Sequence, residues 1–144
     1  MNQAKAHPLL PHITRVNRPF WDGCAQGRLQ LQRCSTCGRL RYPPAPCCPN
    51  CLATESAWEE LSGQGTVFSF VIFHRSYHAS WTDRVPYNVC LIELDQGPML
   101  MSNVVDLDNA ALTVGLRVKV TFSPLSKDVS LPVFKPLTDG QRHP

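Results

Sequence analysis

Residues 33–51, RCSTCGRLRYPPAPCCPNC, hold five of the chain's seven cysteines, and their reading decides the fold. Cys34 and Cys37 form one C-x-x-C pair, Cys48 and Cys51 form a second, and ten residues separate the pairs. Two such turns joined by a short hairpin bring four thiolates around one zinc ion at about 2.3 Å each. Gly38 follows the first pair, where the turn needs a positive φ that glycine adopts at little cost. Leu52 stands at the equivalent place after the second pair, so that turn is predicted to be less ideal. Cys47 replaces Cys48 only by breaking the two-residue spacing and is read as a spectator. Disulfides fit poorly, because seven cysteines is an odd number and no secretion signal is read at the start of the sequence. A redox C-x-x-C normally opens a helix, whereas CSTCGRLRYPP runs into an alternating segment stopped by two prolines. Four protein ligands leave no open position on the metal, so the zinc is expected to be structural.

Upstream of the cysteines, NRPFWDGCAQGRLQLQRC reads as a short helix and then a strand. Asn17 is placed to cap the helix, Pro19 suits its first turn, Gly27 ends it, and Phe20, Trp21 and Cys24 share one apolar patch. Two readings of the rings are open: a core or linker contact, or aromatic anchors offered to a partner because so short a helix cannot bury both. Leu29 and Leu31 alternate with polar residues, as in a half-buried strand entering the metal site. Charge is concentrated here. Residues 1–51 carry seven basic groups against Asp22 alone, +6, whereas residues 52–144 carry seven basic and ten acidic groups, −3. A zinc tetrathiolate contributes −2, which lowers the first segment to about +4 and still marks it as a binder of anions, whether nucleic acid or a phosphorylated small molecule.

Downstream the hydrophobic period changes to two. GQGTVFSFVIFH and YNVCLIELD are strands rich in β-branched and aromatic residues, DQGP is a turn, and MLMSNVV is a third strand. DLDNAALTVG has room for a helical turn. RVKVTFSPL places Val118, Val120 and Phe122 on one face, and VSLPVFKPL closes the set, its two prolines either confining it to an edge or making it irregular. Five strands with a short helical insert between the third and fourth suit an OB-type barrel. Cys24 and Cys90 are expected to behave as small buried hydrophobes.

The matching stretches PFWDGCAQGRLQLQRCSTCGRLRYPP, CPNC, GTVFSFVIFHRSYH, VPYNVCLIELDQGPMLMSNVVD and VGLRVKVTF resemble the acyl-CoA-associated zinc-ribbon plus OB-fold family first grouped as domain of unknown function thirty-five. The family's C-P-x-C second pair favours Cys48, which Pro49 follows. Leu52 departs from a usual glycine, and Ala45 from an arginine that often follows the two prolines. The resemblance implies a mainly β protein, with an N-terminal helix and a rubredoxin-like zinc ribbon followed by a five-stranded OB-fold barrel. The expected organisation is a tail at 1–16, helix plus ribbon at 17–60, the OB-fold domain at 61–137 and a tail at 138–144.

The function implied by the resemblance is that of a non-catalytic accessory subunit. It would bind acyl-CoA or coenzyme A together with a thiolase-like, hydratase or aldolase partner in acyl-CoA, lipid or steroid side-chain metabolism. Arg28, Arg33, Arg39 and Arg41 are the candidate coenzyme A contacts, since its phosphates need arginines beside an apolar slot. Phe20, Trp21 and Tyr77 are the candidate partner contacts. No G-x-S-x-G, H-E-x-x-H or P-loop is present, and His74 and His78, which flank Tyr77, are the one pair that invites a chemical role. The rival reading is a single-stranded nucleic-acid-binding protein, with Phe68, Phe70 and Phe73 stacking on bases. The net negative barrel half argues against it. The longest apolar stretches fall far short of a membrane span, so a cytoplasmic location is expected. A homodimer is compatible with the sequence.

Overall fold

Helix α1 spans Arg18–Ala25, with a proline in its first turn and Gly27 at φ +76° just beyond its end. The computed structural model describes residues 9–138. Asn17 occupies the N-cap position, as expected, but its side chain makes no capping hydrogen bond to the helix. The Asn17 side chain serves the turn before the helix instead, accepting from the Thr14 amide at 2.7 Å and donating to the His12 carbonyl at 3.0 Å. The ribbon is an antiparallel sheet in the order β2–β1–β3, with β1 Gln30–Cys34, β2 Leu40–Arg41 and β3 Ser56–Glu60.

The second sheet follows the order β6–β5–β4–β7–β8, with β4 Gln64–Phe73, β5 Tyr87–Leu94, β6 Met99–Ser102, β7 Arg117–Pro124 and β8 Ser130–Pro136. All its pairings are antiparallel, and the proline-bearing β8 lies at an edge, as its missing donors require. The sheet curls until its edges meet. Val104, just past β6, bridges Phe134 in parallel, and the Phe134 amide donates to the Asn103 carbonyl at 2.9 Å. Asn88 holds this seam from inside. It is 6% exposed, its Nδ2 donates to the Val104 carbonyl at 2.8 Å, and its Oδ1 accepts from the Val104 amide at 2.7 Å. At Gly65 the chain crosses β5 so closely that a Cβ would stand 2.6 Å from the Glu93 carbonyl oxygen, which accounts for glycine within a strand. The sequence's helical insert is a three-residue 3-10 turn, Asn109–Ala111.

One core runs through both sheets. Val67, Ile92, Leu94, Leu100, Val118 and Phe134 line the barrel, and Phe20, Cys24, Leu29 and Leu31 belong to the same buried cluster. Helix α1 packs against β7 and β8. Phe20 is 2% exposed, so the reading that offers it to a partner is corrected: the barrel supplies the apolar cover that an eight-residue helix lacks by itself. Cys24 and Cys90 are buried, and desolvation pushes their thiols up to about 12 and about 11. Among the described residues no helix is long and apolar enough to cross a membrane.

Candidate functional site

The Sγ atoms of Cys34, Cys37, Cys48 and Cys51 lie within 4.8 Å of one another. Cys34 and Cys51 stand 3.5 Å apart and Cys37 and Cys48 3.6 Å, close to the roughly 3.8 Å edge of a tetrahedron with about 2.3 Å zinc–sulfur bonds. The two turns share one construction. The Gly38 amide donates to the Cys34 carbonyl at 3.0 Å, and the Leu52 amide donates to the Cys48 carbonyl at 2.8 Å. Both residues occupy the left-handed region, Gly38 at φ +76° and Leu52 at φ +65°. Leucine therefore reproduces the glycine geometry at a conformational cost of about 1–2 kcal/mol.

Electrostatics at the cluster suit a cation. The Cys34 thiol is lowered to about 6, first by the Cys37 amide and then by that of Thr36, and the Cys48 thiol is lowered chiefly by the Cys51 amide. For Cys51 the Ala53 amide pulls downward, but desolvation and three neighbouring sulfurs outweigh it and push the thiol up to about 11. Four sulfurs this close do not all ionise unless a positive ion compensates them. The donor set fits zinc, and with four protein ligands it is closed. Cys47 lies outside the group.

The four candidate arginines have separate settings. Arg28 is exposed and donates to Gln26 Oε1. Arg33 forms an ion pair with Glu59 at 2.6 Å and donates to the Gly38 carbonyl at 2.6 Å, which ties β1 to β3 and to the first cysteine turn. Arg39 is exposed beside Pro49 and Asn50. Arg41 is 5% exposed, and it donates from Nε to Gln32 Oε1 at 3.1 Å and from Nη2 to the Ala45 carbonyl at 3.1 Å. An arginine so placed braces the ribbon's proline loop, while its Nη1 is buried without a hydrogen-bond partner.

A different feature draws together residues far apart in sequence. A cleft of about 500 Å³ is walled by Trp21 of α1, Tyr42 beyond β2, Trp81 of the 3-10 turn Ala79–Arg84, Tyr87 of β5 and Met101 of β6. Tyr77, 71% exposed, stands at its mouth, with its ring edge-on to Phe73 at 5.8 Å and beneath the Arg75 guanidinium at 5.7 Å. Arg84 lies 4.7 Å from the Trp81 ring. His78 Nδ1 accepts from the Ser80 amide at 3.1 Å and meets Ser80 Oγ at 2.6 Å, so this ring caps its own turn, while His74 is exposed. The stacking residues of the nucleic-acid reading do not share a platform: Phe70 packs on the core, Phe73 stacks on Tyr87 at 5.3 Å, and Phe68 is exposed. Of the cleft, sequence reasoning singled out only Trp21, Tyr77 and His78. The alternation of β5 and β6, which puts Tyr87, Val89 and Met101 outward, was the available signal for the rest.

Comparison with known proteins agrees with this architecture. Residues 21–57 match the family model described as the ChsH2 rubredoxin-like zinc ribbon domain, and residues 58–123 match the ChsH2 C-terminal OB-fold domain. A probable enoyl-CoA hydratase alpha subunit of Thermomonospora curvata is 35% identical over 126 residues, covering 88% of this chain and 39% of that protein. The chain thus spans well under half of that relative. A DUF35 domain-containing scaffold protein of Methanocaldococcus jannaschii is 29% identical over 97 residues, 67% of this chain and 68% of that one. In the solved Ltp2-ChsH2(DUF35) aldolase, the matching chain superposes with a TM-score of 0.80 at 35% identity, over 88% of this chain and 98% of that one.

Proposed function

Because this chain belongs to the DUF35 family of ChsH2-type zinc-ribbon and OB-fold proteins, we propose that it is a non-catalytic accessory subunit of an acyl-CoA-processing enzyme, with acyl-CoA as the shared ligand. The observation that carries the reading is the 35% identity across nearly the whole of the chain found in the Ltp2-ChsH2(DUF35) aldolase. Two relatives are named as parts of a hydratase and an aldolase, and these enzyme classes come first as partners. A thiolase-like partner is proposed on the sequence resemblance alone. The zinc is structural in this reading, because four protein ligands leave it no open position. Arg28 and Arg39, with exposed guanidinium groups, are the proposed coenzyme A phosphate contacts on the ribbon side.

The test is co-expression with an acyl-CoA hydratase or aldolase encoded beside it, followed by co-purification and turnover measurements. The chain alone is expected to turn over no acyl-CoA, and its addition to raise the partner's activity or affinity. Coenzyme A binding is expected to weaken in Arg39→Ala with a marked salt dependence. Micromolar binding of single-stranded DNA, with no partner and no response to coenzyme A, overturns the proposal.

A further inference from the structure

We propose that the far half of β4 is a self-pairing edge, along which two copies of this chain join antiparallel at residues 69–73 about a two-fold axis beside Val71. The inference stands apart from the accessory-subunit reading. Strand β4 pairs with β5 along nearly its whole length, but β7 reaches it only at residues 64–66. One step further, the Val67 amide donates to the Leu116 carbonyl at 2.9 Å and the Val67 carbonyl accepts from the Gly115 amide at 2.8 Å. Among the described residues, no strand and no backbone hydrogen bond meets that side of β4 beyond Val67. Proteins ordinarily blunt such an edge with charge or proline, because its free amides and carbonyls template another strand. Residues 68–73, FSFVIF, contain neither.

The edge is complementary to itself. A register shift at Val67/Ser69 ends the part of β4 that β7 covers, and from Ser69 to Phe73 the pairing with β5 is regular. Phe70 and Ile72 pack on the core, so Ser69, Val71 and Phe73 share the outer face, where Val71 is 53% exposed. Residues opposed across an antiparallel pair lie on one face, so a two-fold axis normal to the sheet sets one residue against its own copy. The regular stretch has five residues, and its centre is Val71. Pairing there opposes Val71 to itself, Phe70 to Ile72 and Ser69 to Phe73, chiefly the β-branched and aromatic combinations that stabilise sheets. Two copies of one strand bring like charges together wherever it is charged, and residues 64–73 hold no charge. Phe68, 52% exposed, and Val114, 65% exposed and next to the Gly115 that bonds Val67, extend the apolar border. Five paired residues span roughly 17 Å, an extent that belongs with small, reversible interfaces.

Sedimentation velocity on the zinc-loaded full chain, over a dilution series from micromolar to near-millimolar, tests the assignment. Reversible exchange between monomer and dimer is expected. Val71→Lys and Val71→Glu, on the outer face, are each expected to raise the dissociation constant at least about tenfold, because they set like charges against each other at the axis. Mixing the two variants is expected to restore a dimer that holds one chain of each, which a merely misfolded variant does not do. Lys127→Glu, at an exposed site in the β7–β8 turn, is expected to leave the dimer as it was. Hydrogen exchange locates the contact, since amides within residues 69–73 are expected to slow as the concentration of the unsubstituted chain rises. A monomer throughout the series overturns the proposal, as does a dimer indifferent to both charges at Val71 or a mixture that forms none. If the chain is monomeric and Val71→Lys abolishes co-purification with the partner enzyme, the edge takes a foreign strand and self-pairing falls.

Discussion

The Arg41 guanidinium is enclosed by the ribbon, and its contacts are those of a brace. Gln32, 6% exposed, accepts from Arg41 Nε at 3.1 Å and from the Ala45 amide at 2.9 Å through the same oxygen, so β1, β2 and the proline loop meet at one point. Hydrogen bonds to a charged donor contribute about 1.5–3 kcal/mol each when buried. Arg41→Ala is therefore expected to destabilise the chain by about 2 kcal/mol, read as a lower urea midpoint at unchanged slope. Arg39→Ala, at an exposed site, is expected to leave the midpoint where it was. A normal midpoint in Arg41→Ala together with weakened coenzyme A binding would return Arg41 to the ligand site. Sequence alone placed both residues in one basic cluster, because proximity along a strand carries no information about which side chain the fold covers.

At the scale of elements, the ribbon is held by two different means. The amides of the cysteine turns pair largely within the turns themselves, while β1 enters the barrel core through Leu31, with Leu29 just before it. Metal supplies the order in the first part, and apolar burial supplies it in the second. Chelation is accordingly expected to make residues 35–52 protease-sensitive while α1 and β1 stay protected, as limited proteolysis with mass spectrometry reads directly. Cleavage inside residues 18–31 at the same rate would show that zinc holds the whole N-terminal part. These turns were legible in the sequence because ligand spacing is local, and the five barrel strands were legible because period-two alternation is local too. Phe20 was not legible: its burial depends on β7 and β8, about a hundred residues away, and no window on the helix reports them. The cleft escaped for the same reason, since its walls come from elements that only the closed barrel brings together.

For the molecule as a whole, the question is whether residues 61–137 form a folding unit. A boundary at 60/61 separates the expected modules, but Phe20, Leu29 and Leu31 lie on one side of it and are nearly fully buried in the cluster that includes Val118 and Phe134 on the other. Full burial of such side chains contributes about 1.5–3 kcal/mol each, so the three together supply roughly 5–9 kcal/mol as an upper figure. Domain stabilities are typically about 5–15 kcal/mol in total. A barrel cut at residue 61 loses a large share of its margin, and it also exposes apolar surface on β7 and β8. The fragment 61–137 is expected to give the collapsed amide spectrum of an unfolded or aggregating chain, whereas 17–138 loaded with zinc is expected to give dispersed signals. Phe20→Ala in the full chain should cost about 3–5 kcal/mol and lower the stability of ribbon and barrel together. A well-dispersed spectrum from 61–137 would show instead that the barrel closes its own core and that α1 is an added cover.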